Sequence, residues 1–310
     1  MTPRPSVIVD CDPGHDDAIA LVVAARHTDL LGVTTVAGNA PIERTTHNAL
    51  VVLDLLGHDA PVHRGAARPL LAPPRHAGYV HGESGLDGAE LPEPSRTEAG
   101  DDAVAFIVET ARTHEGTWLI PTGPLTNIAM ALRRAPDLVD RIAGISLMGG
   151  SATVGNRTAV AEFNIWADPE AAAAVFDYGG PLIQAGLHLT HQLQTTPEHI
   201  ERLRSLPNRL GPVLGQLLGF FASTYIARHD GFTGAPVHDP CAVLALTHPE
   251  LFVRRPAHVV VETIGEHTRG MTVTDLRTLK DRPAPNAEVL TDVDAAAAFA
   301  VIEAAIASFP

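Results

Sequence analysis

The sequence predicts an α/β protein built on an open, mostly parallel (mixed) sheet flanked by helices. Two observations carry this. Short β-branched runs alternate with longer helical patterns, the mark of parallel strands joined by crossover helices. Polar and glycine-containing turns then close one strand run after another on the carboxyl side.

Val7-Ile8-Val9 reads as the first strand, residues 17–26 as a helix, 31–36 as a second strand and 42–56 as a second helix. Residues 102–114 read as helical, 117–120 as extended, 125–134 as helical and 142–148 as extended. Asp168-Pro169-Glu170 opens a further helix, with an acid at the cap, proline in the first turn and a second acid favoured by the helix dipole. Residues 182–185 form a strand. The stretch 196–227 is mostly helical, broken at Pro207 and Pro212, and His238-Asp239-Pro240 starts a helix running to residue 246. Residues 258–264 are β-branched and 292–307 form an alanine-rich helix. Residues 65–100, rich in Gly, Pro and His without sustained period, read as a loop region inside one domain spanning 1–310.

Composition narrows the function. Twenty-two Lys+Arg against 36 Asp+Glu leave a formal charge of −14 with no segregated basic patch, which argues against nucleic acid or an anionic membrane surface as partner. A hydrophobic share of 45% with 19% charged residues is ordinary for a folded chain. No apolar run approaches the roughly 18 residues a membrane-spanning helix needs, and the N-terminus has no secretory pattern, so the expectation is a cytoplasmic protein. Cys11 and Cys241 are too few for a disulfide framework or a zinc site and read as buried packing residues.

Asp10-Cys11-Asp12-Pro13-Gly14-His15-Asp16-Asp17 follows the first strand and enters the first helix, so four carboxylates gather at the carboxyl edge of a parallel sheet, where such sheets bind ligands. A helix cap accounts for one or two of them. Four within eight residues call for a compensating cation, and oxygen donors suit a hard divalent ion. An EF-hand loop does not fit: Gly14 comes one position early and the twelfth position from Asp10 is Leu21. A phosphatase-like arrangement, with Asp10 as nucleophile and Asp12 as acid, stays open for this motif alone. Phosphate-binding glycine loops are missing. His188 and His191 follow a strand at a spacing that puts them on opposite faces, and read as packing or loop histidines.

Gly38-Asn39, Pro121-Thr122-Gly123 and Met148-Gly149-Gly150 close three other strands and converge on the edge that carries the acids. Asn156, Glu162 and Asn164 lie in the loop beyond Met148, and amides beside an acid suit a polyhydroxylated ligand such as a sugar. Asp239 is a helix cap by position, and its carboxylate also suits a metal.

These blocks, with His81-Gly82-Glu83-Ser84-Gly85, Pro121-Thr122-Gly123-Pro124-Leu125-Thr126-Asn127, Ala161-Glu162-Phe163-Asn164 and Val237-His238-Asp239-Pro240-Cys241, resemble the inosine-uridine preferring nucleoside hydrolase family, in that family's order and over nearly the whole chain. The resemblance implies a Rossmann-like sheet and a Ca²⁺-dependent N-ribohydrolase, a homo-oligomer (dimer or tetramer), that splits a ribonucleoside into ribose and free base. It implies that Asp12, Asp17, Asp239 and the Thr122 carbonyl hold Ca²⁺ and that Asp16 is the general base toward water. Asp10, Asn39, Asn156, Glu162 and Asn164 would serve the ribose with Met148 beneath it, while His81, Tyr225, His229 and His238 would lie toward the base. His238 is the favoured proton donor, with an ordinary pKa near 6.5. The chemistry agrees: breaking an N-glycosidic bond builds positive charge on the sugar, which carboxylates stabilise.

Two positions depart from the family pattern. His188 stands where members often have aspartate, and His229 where some have arginine. Two other readings compete. A Ca²⁺-dependent nucleoside- or sugar-binding protein would have no need of Asp16 beyond the metal acids, and a DxD-type phosphatase would need a basic residue that residues 10–21 lack.

Overall fold

The computed structural model describes residues 4–310; residues 1–3 of the N-terminal stretch scanned for a secretory pattern lie outside the described residues. Among the described residues the strands are, in chain order, β1 (Ser6–Cys11), β2 (Asp29–Thr35), β3 (Val62–Arg64), β4 (Trp118–Pro121), β5 (Gly144–Met148), β6 (Leu182–Ala185), β7 (Gln194–Thr195), β8 (Ala235–Pro236), β9 (Phe252–Val261), β10 (Thr272–Asp275) and β11 (Ala287–Val293). The helices are α1 (His15–His27), α2 (Ile42–Leu56), α3 (Gly78–His81), α4 (Ala103–Thr113), α5 (Thr126–Arg134), α6 (Phe163–Ala167), α7 (Pro169–Phe176), α8 (Leu187–Thr190), α9 (Pro197–Arg204), α10 (Leu210–Ile226), α11 (Pro240–Thr247) and α12 (Ala295–Ala307).

Nine strands make one sheet in the order β10-β9-β11-β6-β5-β4-β1-β2-β3, and β7 pairs with β8 in a separate two-stranded ribbon. From β3 to β11 the neighbours are parallel, and β9 runs antiparallel to both β11 and β10, so the sheet is mixed as expected. Strand order reverses between β1 and β4: β2 and β3 lie on one side, β5 and β6 on the other. The carboxyl ends of β1 and β4 therefore flank the switch point at which open sheets leave a crevice.

Alternation along β1 sorts the two layers. Val7, Val9 and Cys11 join a core with α1, α2, α10, α11 and α12, while Ile8 packs with α4, α5 and α7. Asp10 shares the parity of Ile8 and so points toward α5. Helix α1 is buried from His15 to Ala24, which is why its sequence is apolar nearly all round rather than on one stripe. Cys11 and Cys241 are buried and unpaired, as read. Among the described residues no helix is long and apolar enough to cross a membrane.

Several boundaries differ from the sequence reading for local reasons. Helix α1 begins at His15 because the Asp17 carboxylate accepts from the Gly14 N–H at 2.9 Å, capping the helix two residues earlier than expected. Pro212 does not break the chain: it sits in the first turn of α10, where its missing N–H costs nothing, and the break lies before Leu210, in the stretch holding Pro207. The last helix starts at Ala295, capped by Asp294, because Asp292 and Val293 belong to β11. The loop region 65–100 holds one short helix, α3. His188 lies on α8 and His191 caps its end, so they follow a helical turn and not an extended chain.

Candidate active site

The turn after β1 and the first turn of α1 bring Asp12, Asp16 and Asp17 against Asp239 at the cap of α11. Carboxylate oxygens of Asp16, Asp17 and Asp239 lie within 4.8 Å of one another, all three buried. Asp12 stands beside them, held by the Asn39 backbone N–H on Oδ2 at 2.6 Å, while its Oδ1 is buried without a partner. Burial, followed by mutual repulsion, raises the carboxyls of Asp12 and Asp239 far above the usual range and that of Asp16 to about 7; burial raises Asp17 too. Cys11 is pushed up by burial and then by Asp17, Asp10, Asp12 and Asp239.

This donor set fits a cation. Oxygen atoms of four buried acids converge, one is an orphan, and among the described residues no arginine or lysine is hydrogen-bonded to any of them. The site is tightly built: a Cβ on Gly38 would sit 2.0 Å from Asp12 Oδ2, and one on Gly123 2.6 Å from Asp12 Oδ1. Thr122 donates its hydroxyl to Asp17 Oδ1 at 2.8 Å, and its carbonyl accepts from Asn164 Nδ2 at 2.7 Å.

A cavity opens above this cluster, lined among others by Asp16, Asn39, Thr122, Met148, Asn164 and Asp239 at its floor, and by His81, Tyr225, His229 and His238 around its wall. Asn39 Nδ2 also reaches Asp17 Oδ2 at 3.3 Å. Asn164 Nδ2 spans the Thr122 and Met148 carbonyls. Asn156 and Glu162 line the cavity as well, and both organise backbone there: Asn156 accepts from the Phe163 N–H, and Glu162 accepts from Gly150, Asn164 and Ile165 N–H groups. Burial raises the Glu162 carboxyl to about 7.

The structure separates Asp10 from the other site residues. It is fully buried outside the cavity, and its Oδ1 accepts from Thr34 at 2.6 Å and Asn127 at 2.8 Å. A residue so enclosed ties β1 to β2 and to α5, and neither sugar contact nor attack on a phosphate fits its position. His238 also differs from expectation. Burial holds its imidazole well below the ordinary value, so it is neutral at pH 7, with Nδ1 2.7 Å from Thr190 Oγ1 and its backbone N–H on Asp16 Oδ2.

Sequence reasoning passed over Tyr79, Thr190 and His15 as neighbours of the site, and read His191 as a packing or loop histidine. Tyr79 lines the cavity from α3, inside the stretch read as loop. Thr190 holds His238, and His191 Nε2 lies 3.4 Å from the Tyr225 hydroxyl. His15 contacts His81 from behind the wall. The one available signal was His15 itself, a histidine inside the acidic block. His188 accepts from the Ala152 N–H at 3.1 Å, tying down the loop after β5.

The chain is similar to known proteins over almost all its length. The sequence profile of the family described as "Inosine-uridine preferring nucleoside hydrolase" matches residues 7–300. A Shewanella oneidensis protein named pyrimidine-specific ribonucleoside hydrolase RihA is 50% identical over 288 residues, 92% of this chain and 90% of that one. A Photobacterium profundum protein of the same name is 47% identical, covering 93% and 94%. Among solved structures, a purine-preferring ribonucleoside hydrolase from Gardnerella vaginalis superposes with a TM-score of 0.91 at 32% identity, over 97% of this chain and 98% of that one.

Proposed function

This chain belongs to the inosine-uridine preferring nucleoside hydrolase family, and on that premise we propose that it hydrolyses the N-glycosidic bond of ribonucleosides in a Ca²⁺-dependent reaction, favouring pyrimidine nucleosides. The observation that carries the reading is the floor of the cavity, where buried carboxylates and amides converge on one space. Preference for pyrimidines is supported by the relatives named pyrimidine-specific, which are closer in identity, at 47% and 50%, than the purine-preferring structure at 32%.

Asp12, Asp17, Asp239 and the Thr122 carbonyl would hold Ca²⁺, an all-oxygen set suited to a hard ion. When bound, the ion supplies positive charge that neutralises the acids and orients water and sugar hydroxyls. Asp16, on the cavity floor, takes the proton of the attacking water. Asn39, Asn156 and Asn164 hold the ribose through amides that both donate and accept, Glu162 fixes the turn that carries Asn164, and Met148 offers an apolar surface beneath the ring. As the bond to the base breaks, the sugar gains positive charge beside these carboxylates. His238, neutral, donates a hydrogen bond toward the departing base, with Tyr225 beside it and His229 stacked on Tyr225.

The test is release of reducing sugar from uridine, cytidine, inosine and adenosine, with a chelator and with Ca²⁺ restored. Ribose should appear faster from uridine and cytidine, vanish with chelator and return with Ca²⁺. No ribose from any nucleoside overturns the hydrolase reading, indifference to the chelator overturns the Ca²⁺ requirement, and faster purine turnover overturns the preference.

A further inference from the structure

His15 is fully buried at the start of α1, behind the wall that His81 presents to the cavity. Its Nε2 lies 2.8 Å from the carbonyl oxygen of Asp87. A carbonyl only accepts, so Nε2 carries a proton. Both rings stack against Phe221, and among the described residues no carboxylate is hydrogen-bonded to either, so each imidazole is neutral and bears one N–H. Nδ1 of His15 is therefore a lone pair. It lies 3.0 Å from Nδ1 of His81, which must supply the proton. His81 is left with its own lone pair on Nε2, the nitrogen without a protein partner.

The backbone N–H of His15 is also directed at His81 Nδ1 as a donor, at 3.4 Å, a longer contact that an Nδ1–H on His81 gives up. The shorter contact decides the assignment. Reversing it would set two lone pairs against each other at 3.0 Å, or put a second proton on His15 between aromatic rings. Close packing preserves the arrangement: a Cβ on Gly14 would come within 2.6 Å of His81 Nδ1 and 2.9 Å of Asn39 Nδ2, so glycine lets His15, His81 and Asn39 meet.

We propose that His15 is a positioning residue that locks His81 as the Nδ1–H tautomer, so that His81 meets the substrate as a hydrogen-bond acceptor and takes a hydroxyl of the sugar held by the adjacent Asn39. Which nitrogen of an imidazole is free is set by the bond its other nitrogen makes. The identity of the accepted group rests on the cavity being a ribonucleoside site; the tautomer does not.

Long-range ¹⁵N–¹H correlation spectra of the nucleoside-free protein read the tautomer directly. In the unmodified protein His81 should be protonated on Nδ1 and His15 on Nε2. H15F keeps a ring against Phe221 without an acceptor; it should release His81 from that tautomer and lower kcat/KM for uridine about tenfold, the worth of one neutral hydrogen bond. H15N, whose Oδ1 can accept from His81, should keep the tautomer and stay within about threefold of the unmodified protein. An Nε2–H form of His81 in the unmodified protein overturns the proposal, and so do equal losses in the two variants, which would mark a packing role. Should H15F not fold, the spectrum of the unmodified protein decides alone. Ribose release is measured separately, so a wrong tautomer leaves the hydrolase reading standing, and absence of ribose release leaves the tautomer standing.

Discussion

Three buried acids, Asp16, Asp17 and Asp239, lie within 4.8 Å of one another with Asp12 buried beside them, yet their hydrogen bonds assign them different work. Asp12 is pinned by the Asn39 N–H, and Asp17 by Gly14 and the Thr122 hydroxyl, so both face the space a cation would fill. Asp16 accepts the His238 N–H at 3.2 Å and lines the open cavity, where water can reach it. D16N should therefore leave Ca²⁺ binding intact and lower kcat by about 10²–10⁴-fold, the usual share of a general base. D12N should lose the ion. Calorimetric titration with Ca²⁺ beside turnover of uridine checks both; near-full turnover in D16N with the ion bound would reassign the base.

Glycines separate the elements that build the site from those that only build the fold. Gly38 ends the crossing from β2 toward α2, and any side chain there would collide with the Asp12 carboxylate. Gly57 ends α2 in the left-handed region at φ 60°, and a methyl group added there would meet nothing within 4 Å. G57A should cost about 1 kcal/mol of stability through backbone strain and leave turnover unchanged. G38A should instead displace Asp12, abolishing Ca²⁺ binding with a fall in turnover of at least about a hundredfold. Urea unfolding and Ca²⁺ titration on the two variants distinguish these outcomes, and equal kinetics in both would remove Gly38 from the site.

At the scale of the whole molecule, α1 links the site to the far end of the core, where His27 meets the edge of His248 with ring centroids 4.8 Å apart. Among the described residues His27 Nε2 is buried without a partner, and burial, then His248, Arg26 and Arg4, lower its pKa to about 4. Unfolded, this histidine binds a proton near pH 6.5; folded, it does not until about pH 4. Its contribution is thus present above pH 6.5 and lost as the pH falls toward 4, because the unfolded chain then binds more protons. H27F keeps a ring and removes the titration. Between pH 7.5 and 5 the unmodified protein should lose stability relative to H27F, as read from urea midpoints; a pH-independent difference would show that His27 does not titrate between the folded and unfolded states.

How much was legible follows from how far each interaction reaches along the chain. The alternation of β-branched and helical runs, the acids from Asp10 to Asp17 and the turn groups at Asn39, Thr122 and Met148 are local patterns, and a parallel sheet forces its strand ends to one edge, so fold class and the floor of the site could be read directly. The short strands β3 and β10 and the start of β11 carry too little periodicity to declare themselves and exist because neighbours supply their hydrogen bonds. Burial and long-range pairing decided the rest. Asp10 left the cavity because strand parity aims it at Asn127, 117 residues away, and His238 became neutral because the fold encloses it. His15 met His81 across 66 residues, a contact that no spacing in the sequence encodes, because only the packed chain brings their two rings to the same wall.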